Sequence, residues 1–165
     1  MIAIARVGLL LALFASPVWA ADATTTVSLD SSMTELKAFQ AEVGDAKREF
    51  VDHHLQLTEQ EAAKFWPIFD AHQTSLSVLN RRRLENIHAF AALFNSDSTD
   101  KAAGEAVAKE ALAIEADEAA LMQRTFGKLK KVLPIMKSIR YLQFESKLRA
   151  IVKFQLAAEI PYAQP

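Results

Sequence analysis

The stretch that decides the fold is L-T-E-Q-E-A-A-K-F-W-P-I-F-D, residues 57–70. Leu57 precedes Thr58 and Glu61, which have the spacing of a capping box, where each side chain satisfies a free backbone N–H of the first helical turn. The mainly apolar residues of one helix face then recur in steps of three and four: Phe65, Phe69, His72, Leu76, Leu79, Arg83, Ile87, Phe90 and Phe94. This spacing predicts one helix over about 58–95. Pro67 lies inside it and predicts a kink, because it removes a backbone hydrogen bond.

Outward from this stretch, helical periodicity covers nearly the whole chain, and strand-like alternation is absent. A second capping box, Ser32 to Glu35, predicts a first helix over about 32–54. A third helix is expected from about 100 to Leu133, and a fourth over about 135–158 after a first-turn or bend-forming Pro134. The sequence therefore predicts an all-α domain over 32–160, built from elongated, long-helix hairpins of about four helices.

The fourth predicted helix carries apolar residues on more than one side of its circumference. Packing within one chain uses one such face, so the other face predicts a homodimer. Arg140 and Glu145 lie on this helix, and we expect both to have structural roles. Since Arg140 is flanked by apolar residues, we expect a partly buried stem and a bidentate carboxylate partner from the acidic third helix or a second subunit.

The first twenty residues have the pattern of a secretory signal peptide. Arg6 supplies a positive start, an apolar run follows, and Val18 and Ala20 are the small residues that precede the expected cleavage site. We therefore expect cleavage near Ala20, a disordered polar segment over 21–31, and a periplasmic protein without stable membrane insertion.

Composition excludes several classes of function. The chain has no cysteine, which rules out thiol catalysis and cysteine-based zinc sites. Its 19 Lys+Arg and 20 Asp+Glu nearly cancel, which argues against a nucleic-acid binder. Motifs for a nucleophile elbow or a phosphate loop are also absent, so we expect a protein that is not an enzyme and uses no cofactor.

The charges are segregated along the chain. Residues 97–118 contain seven acidic and two basic side chains, whereas residues 124–153 contain nine basic and one acidic. We expect complementary helix faces, and the alternative is steering of an acidic or unfolded partner. Residues 81–83 are three arginines, for which we expect pairing with Glu85 or the acidic helix rather than binding of anionic lipid.

The four histidines are His53, His54, His72 and His88, and no two of them have the His-x-x-x-His spacing that places two imidazoles on one helix face. We therefore expect no metal site within one chain, although a dimer interface stays open as an alternative. His72 also lies on the apolar stripe of the second helix, as does Arg83, and polar side chains in such positions are usually hydrogen-bonded in the core or at its edge.

Two motifs resemble those of the Spy/CpxP-type periplasmic proteins. Residues 57–62 resemble their Leu-Thr-x-x-Gln motif, with Glu61 at the fifth position, and Phe65-Trp66-Pro67 resembles a variant of the same group. Residues 133–148 are similar to their second motif block. The resemblance, which covers about 45–160, implies helical hairpins that dimerise into a curved cradle, with members that act as ATP-independent chaperones, damp envelope-stress signalling or bind metals.

We expect from this resemblance and the residues together an exported, ATP-independent chaperone-like protein of the envelope stress response. Basic side chains near apolar ones are the candidate client-binding residues: Lys128, Lys131, Arg140 and Lys147. The alternatives are a signalling accessory that docks on a membrane sensor kinase or anti-sigma factor, and a metal-binding sensor.

Overall fold

A computed structural model describes residues 46–96 and 99–163, the side chains of residues 155 and 159 excepted. Four helices make up almost all of this part: α1 over 46–55, α2 over Glu59–Asn95, α3 over Lys101–Leu129 and α4 over Ile135–Glu159. The described residues contain no strand. The all-α, helical-hairpin fold expected from the sequence is thereby confirmed.

The long α2 begins and ends where its periodicity predicts. It spans 37 residues without interruption, or about 56 Å at 1.5 Å per residue. Pro67 lies in its interior.

The predicted end of the third helix is wrong by one turn. α3 ends at Leu129, and a tight turn follows in which Leu133 N–H donates to the Leu129 carbonyl over 2.9 Å. Pro134 then occupies the N-cap position of α4 and carries no side-chain cap. The physical reason is that proline disfavours helical backbone at the residue before it, so the chain leaves the helix ahead of Pro134.

Side-chain contacts show that successive long helices run antiparallel. His72 near the start of α2 meets Thr125 near the end of α3, and Asn86 further along α2 meets the Val107 carbonyl. Near the other end of α4, Lys153 bonds to Glu115 of α3. α2 and α3 therefore form one hairpin, and α3 and α4 form the next.

The main apolar core lies where α1 ends, α2 and α4 begin, and α3 ends. Its buried members come from all four helices and the turn: Val51, Leu55, Phe65, Phe69, Leu129, Leu133 and Tyr141. Edge-to-face aromatic contacts connect α2 to α4 here, since the Phe65 and Tyr141 rings lie 5.4 Å apart at 83°. This core fixes the short α1 against the long helices.

Several predictions lie outside the described residues: the signal peptide over 1–20, the polar segment over 21–31 and the start of the first helix, including its capping box. The described end of that helix, at residue 55, is one residue beyond the predicted end. No helix among the described residues is long and apolar enough to cross a membrane.

Candidate functional site

The capping box at the start of α2 is confirmed and is tied to α4. Thr58 Oγ1 accepts from the Glu61 N–H over 3.3 Å, and Glu61 Oε2 accepts from the Thr58 N–H over 2.9 Å. The same Glu61 oxygen accepts from Lys137 Nζ of α4 over 2.6 Å. The hydrogen bond from Lys137, followed by that from Thr58, lowers the pKa of Glu61. One carboxylate therefore caps α2 and also binds α4.

Side chains in and just after the Phe-Trp-Pro segment contact both α4 and α1. We expected Trp66 and Phe69 to pack against the fourth helix. Phe65 and Phe69 are buried and face Tyr141 of α4, whereas the half-buried Trp66 has the Arg48 guanidinium of α1 4.2 Å from its ring centroid. Phe69 thus packs against α4, and Trp66 packs against the same core with an added cation–π contact, while a direct contact of Trp66 with α4 stays a prediction. Leu57 is partly buried against the core.

Glu145 is the centre of a buried polar cluster that joins α1, α2 and α4. Lys47 Nζ of α1 donates to Glu145 Oε2 over 2.8 Å and to Gln73 Oε1 of α2 over 2.9 Å. Gln73 Nε2 in turn donates to Glu145 Oε1 over 3.2 Å and to the Tyr141 hydroxyl over 3.3 Å. The side chains of Lys47 and Glu145 are 4 % and 5 % exposed. The structural role expected for Glu145 thus has a physical basis in this cluster.

His72 extends the cluster to α3. Its Nδ1 is 2.8 Å from Thr125 Oγ1, while Nε2 is buried without a hydrogen-bond partner and lies 3.8 Å from Glu145 Oε2. Burial by itself raises the pKa of Glu145, but His72 and Lys47 outweigh burial and lower this pKa to about 2. Burial beside this carboxylate also raises the pKa of the Tyr141 hydroxyl. Glu145 is therefore ionised at neutral pH and serves as the anionic partner of Lys47.

This cluster joins α1, α2, α3 and α4 through buried polar contacts. Lys47, Gln73 and Glu145 satisfy one another, whereas His72 Nε2 has no hydrogen-bond partner, and the charged members Lys47 and Glu145 are buried. Among the described residues, no group of three or more His, Asp or Glu side chains is placed to hold a metal ion. The placement of His72 as a hydrogen-bonded core residue agrees with the expectation from its position on the apolar stripe.

Arg140 differs from the expectation. It is exposed, its Nη1 donates over 2.9 Å to the backbone carbonyl of His54 at the end of α1, and it forms no ion pair within the described part of the chain. Lys137 Nζ donates over 2.8 Å to the Gln56 carbonyl beside it. Two cations of α4 thus satisfy carbonyls at the end of α1, where the helix dipole also favours positive charge. The paired carboxylates of α3 bind Arg82, Arg83 and Lys153 instead, and pairing of Arg140 with a second subunit stays a prediction.

The three arginines of α2 pair with carboxylates, as expected. Arg81 Nε lies 3.9 Å from Glu85, and Arg82 makes a bidentate contact with Glu110 over 2.8 and 3.2 Å. The Glu110 hydrogen bond raises the pKa of Arg82, and Arg82 lowers the pKa of Glu110. Arg83 bonds to the buried Glu118 over 3.2 Å. The acidic helix is therefore complemented mainly by α2.

The side of α4 that points away from Tyr141 exposes apolar residues to solvent. We call this surface the outer face of α4, and its members are Ile135, Met136, Ile139, Leu142, Ile151 and Phe154. Met136 is 67 % exposed and Phe154 is 77 % exposed. A shallow groove along it is lined by Ile139, Leu142, Gln143, Ser146 and Lys147. The apolar members thus form two groups, 135–142 and 151–154, and exposed apolar groups on a helix are typical of a binding surface.

Two of the four candidate client-binding residues come together. Arg140 and Lys147 both line a pocket between α1 and α4, and Lys147 also lines the groove of the outer face. Lys128 lies near the end of α3 and Lys131 is exposed in the following turn, and they line neither of these two concave surfaces.

Sequence reasoning missed four members of the buried cluster: Lys47, Gln73, Thr125 and Tyr141. A signal for Lys47 was present, because it lies four residues before Val51 and eight before Leu55, which is the buried stripe of α1. Gln73 and Thr125 had no such signal, since their roles depend on which helices meet at that level.

Family models, curated proteins and solved structures were each compared with the chain, and none of them matches it. The likeness to the Spy/CpxP-type proteins therefore rests on the motifs within residues 57–69 and 133–148.

Proposed function

We propose that this chain is an exported, ATP-independent binding protein that holds partly unfolded envelope proteins, in the manner of the Spy/CpxP-type group. The observation that carries the proposal is the outer face of α4, where Met136 and Phe154 are exposed to solvent and where a groove is lined by Ile139 and Leu142 together with polar side chains. Periplasmic location follows from the signal peptide expected over 1–20. The absence of a nucleotide-binding motif accords with a function that needs no ATP.

Apolar and basic groups together suit an unfolded client. A partly unfolded chain exposes apolar side chains that gain from leaving water, at about 25 cal/mol per Å² of apolar area. Lys147 at the edge of the groove adds attraction for acidic segments of such a chain. Binding of this kind depends on surface chemistry rather than on one client sequence.

The outer face of α4 is also the surface through which we propose that two copies associate. Its apolar residues lie toward both ends of the helix, and a two-fold axis brings this face against its own copy. Client binding and self-association then share residues, so the oligomeric state is to be measured in every functional assay.

A light-scattering assay of a denatured, aggregating client tests the proposal. At an equimolar ratio, the unmodified protein is expected to suppress aggregation, and Met136→Ser/Phe154→Ser is expected to lose most of this effect. Leu112→Ser is the matched control, because Leu112 of α3 is 72 % exposed and lies on a different helix. The control is expected to retain suppression.

Two outcomes would overturn the proposal. Equal loss in the control and the double variant would show that the outer face of α4 has no special role. An unmodified protein that fails to suppress aggregation would favour the other candidate class, a signalling accessory that docks on a membrane sensor.

A further inference from the structure

The pocket between α1 and α4 has an aromatic wall. Phe50 stacks on His54 with centroids 3.8 Å apart, and on Phe144 of α4 with centroids 4.5 Å apart. Phe50 remains 39 % exposed, so its ring is accessible from solvent. Leu55 and Tyr141 complete the apolar lining. The Phe50 and Phe144 rings stack across the two helices and form one side of the pocket.

The rim of this pocket is positively charged and has no carboxylate. Arg140 and Lys147 both line it, and none of the other lining side chains is acidic. The described hydrogen bond of Arg140 goes to a neutral carbonyl, that of His54. Lys147 is exposed and has no ion pair among residues 46–96 and 99–163. These two cations therefore lie at the rim of one apolar pocket without a carboxylate partner among the described residues.

The size of the pocket suits one side chain. Its volume is about 160 Å³, and a dry protein cavity of about 150 Å³ accommodates one benzene molecule. A single aromatic or branched aliphatic group therefore fills the space. A carboxylate attached close to that group would reach the rim, where two cations are available for charge-assisted hydrogen bonds.

We infer that this pocket binds an aromatic side chain of a client polypeptide whose neighbouring residue is acidic, with Arg140 and Lys147 binding the carboxylate. The inference rests on the proposed function for the class of ligand, a polypeptide segment. It adds a preference for aromatic–acidic pairs, located at α1 and α4 rather than on the outer face alone.

Peptide titrations followed by NMR test this preference. The probes are glycine- and serine-rich peptides that carry a single Phe-Asp, Phe-Asn or Ser-Asp pair. Phe-Asp is expected to bind at least about fivefold more tightly than the other two, because only this pair supplies both the ring and the charge. Its binding is expected to shift the signals of Phe144 and to weaken at high salt.

Lys147→Glu is the decisive variant, since Lys147 is exposed and forms no ion pair or side-chain hydrogen bond among the described residues. It is expected to remove the preference for Phe-Asp over Phe-Asn. Lys64→Glu is the matched control, with the same change of charge at an exposed position of α2, and it is expected to retain the preference. Circular dichroism of both variants checks that the helices are intact.

The inference is overturned if the three peptides bind equally, or if both variants change binding to the same extent. Phenylacetate is a further arm: competition as strong as that of the Phe-Asp peptide would assign the pocket to a small aromatic acid instead. The aggregation assay separates the two proposals. Suppression without peptide preference removes this inference alone, and peptide preference without suppression removes the proposed holdase function.

Discussion

Glu145 shows how one side chain can unite distant parts of a helical chain. Its two oxygens are bonded to Lys47 of α1 and Gln73 of α2, and it is almost wholly buried. An ionised carboxylate in such surroundings is tolerated only because cations and donors surround it. The residue is therefore a structural centre whose charge state controls stability.

The stability of the protein is expected to fall on acidification because of Glu145. Its pKa in the folded protein, about 2, lies below its ordinary value of 4.5. Its ionisation thus stabilises the fold fully above about pH 4.5, and this contribution, on the order of 3 kcal/mol, is lost as pH falls toward 2. Urea unfolding at pH 7, 4 and 2.5 measures the loss.

Glu145→Gln is expected to flatten this acid dependence and to lower the free energy of unfolding at pH 7 by about 3 kcal/mol, because Lys47 is left buried without an anion. Lys47→Met on the same background is expected to restore part of the stability. Glu110→Gln is the control: it breaks the more exposed ion pair between Arg82 and Glu110, so we expect a smaller loss in the free energy of unfolding. An unchanged acid dependence in Glu145→Gln would contradict the role assigned to this carboxylate.

The cap of α2 is a second effect at the residue scale. Thr58→Ala is expected to lower the free energy of unfolding by about 1 kcal/mol, because the Glu61 N–H loses its acceptor. Thr74→Ala is the matched control, since its hydroxyl bonds only to the Asp70 carbonyl within the helix. Denaturant titration distinguishes the two variants, and equal effects would argue against capping as the cause.

At the scale of elements, the joint between α1 and α2 is the most constrained connection. Gln56 has φ of 48°, a left-handed conformation that non-glycine residues seldom adopt. Its carbonyl is bonded to Lys137 of α4, and the carbonyl of His54 is bonded to Arg140. The joint is thus held from outside by a helix that lies about eighty residues later in the chain.

Gln56→Gly is expected to raise the free energy of unfolding by about 0.5–1 kcal/mol, since glycine adopts this backbone conformation without the steric cost. Gln123→Gly is the matched control: it makes the same replacement at an exposed site inside α3 and is expected to lower stability by about 1 kcal/mol. Thermal melts report both changes. A loss of stability in Gln56→Gly would mean that the glutamine side chain contributes more than the backbone strain costs.

At the scale of the whole molecule, complementary charge and an unpaired apolar surface coexist. Arg82 and Arg83 of α2 neutralise much of the acidic α3, and Lys153 of α4 adds to this pairing. The acidic segment of the chain is thus largely paired with cations inside the bundle. The outer face of α4 has no partner among the described residues. It is therefore the surface through which we expect two copies of the chain to associate.

We expect sedimentation equilibrium at micromolar concentration to give the mass of a dimer. Met136→Glu/Phe154→Glu is expected to shift the protein toward monomer, because each subunit would bury its new charges at a two-fold interface. Leu112→Glu, at an exposed position of α3, is expected to leave the dimer intact. A monomeric unmodified protein would refute association through this face.

Most of the secondary structure follows from the sequence because its determinants are local. The period of the apolar stripe and the Thr58–Glu61 pair specify α2 almost to the residue. Pro134 specifies where α4 starts. The end of α3 was placed one turn too late, since the apolar residues Val132 and Leu133 continue the pattern while the backbone has already turned.

What only the tertiary structure decided is which side chains meet. The sequence alone determined the helical class, nearly all the bounds of α2, and the presence of two polar side chains, His72 and Arg83, on its apolar stripe. It could not identify Lys47 and Gln73 as the partners of Glu145, nor the His54 carbonyl as the acceptor for Arg140. Periodicity records which face of a helix is buried, but the level and rotation at which helices pack depend on contacts between residues far apart in the chain.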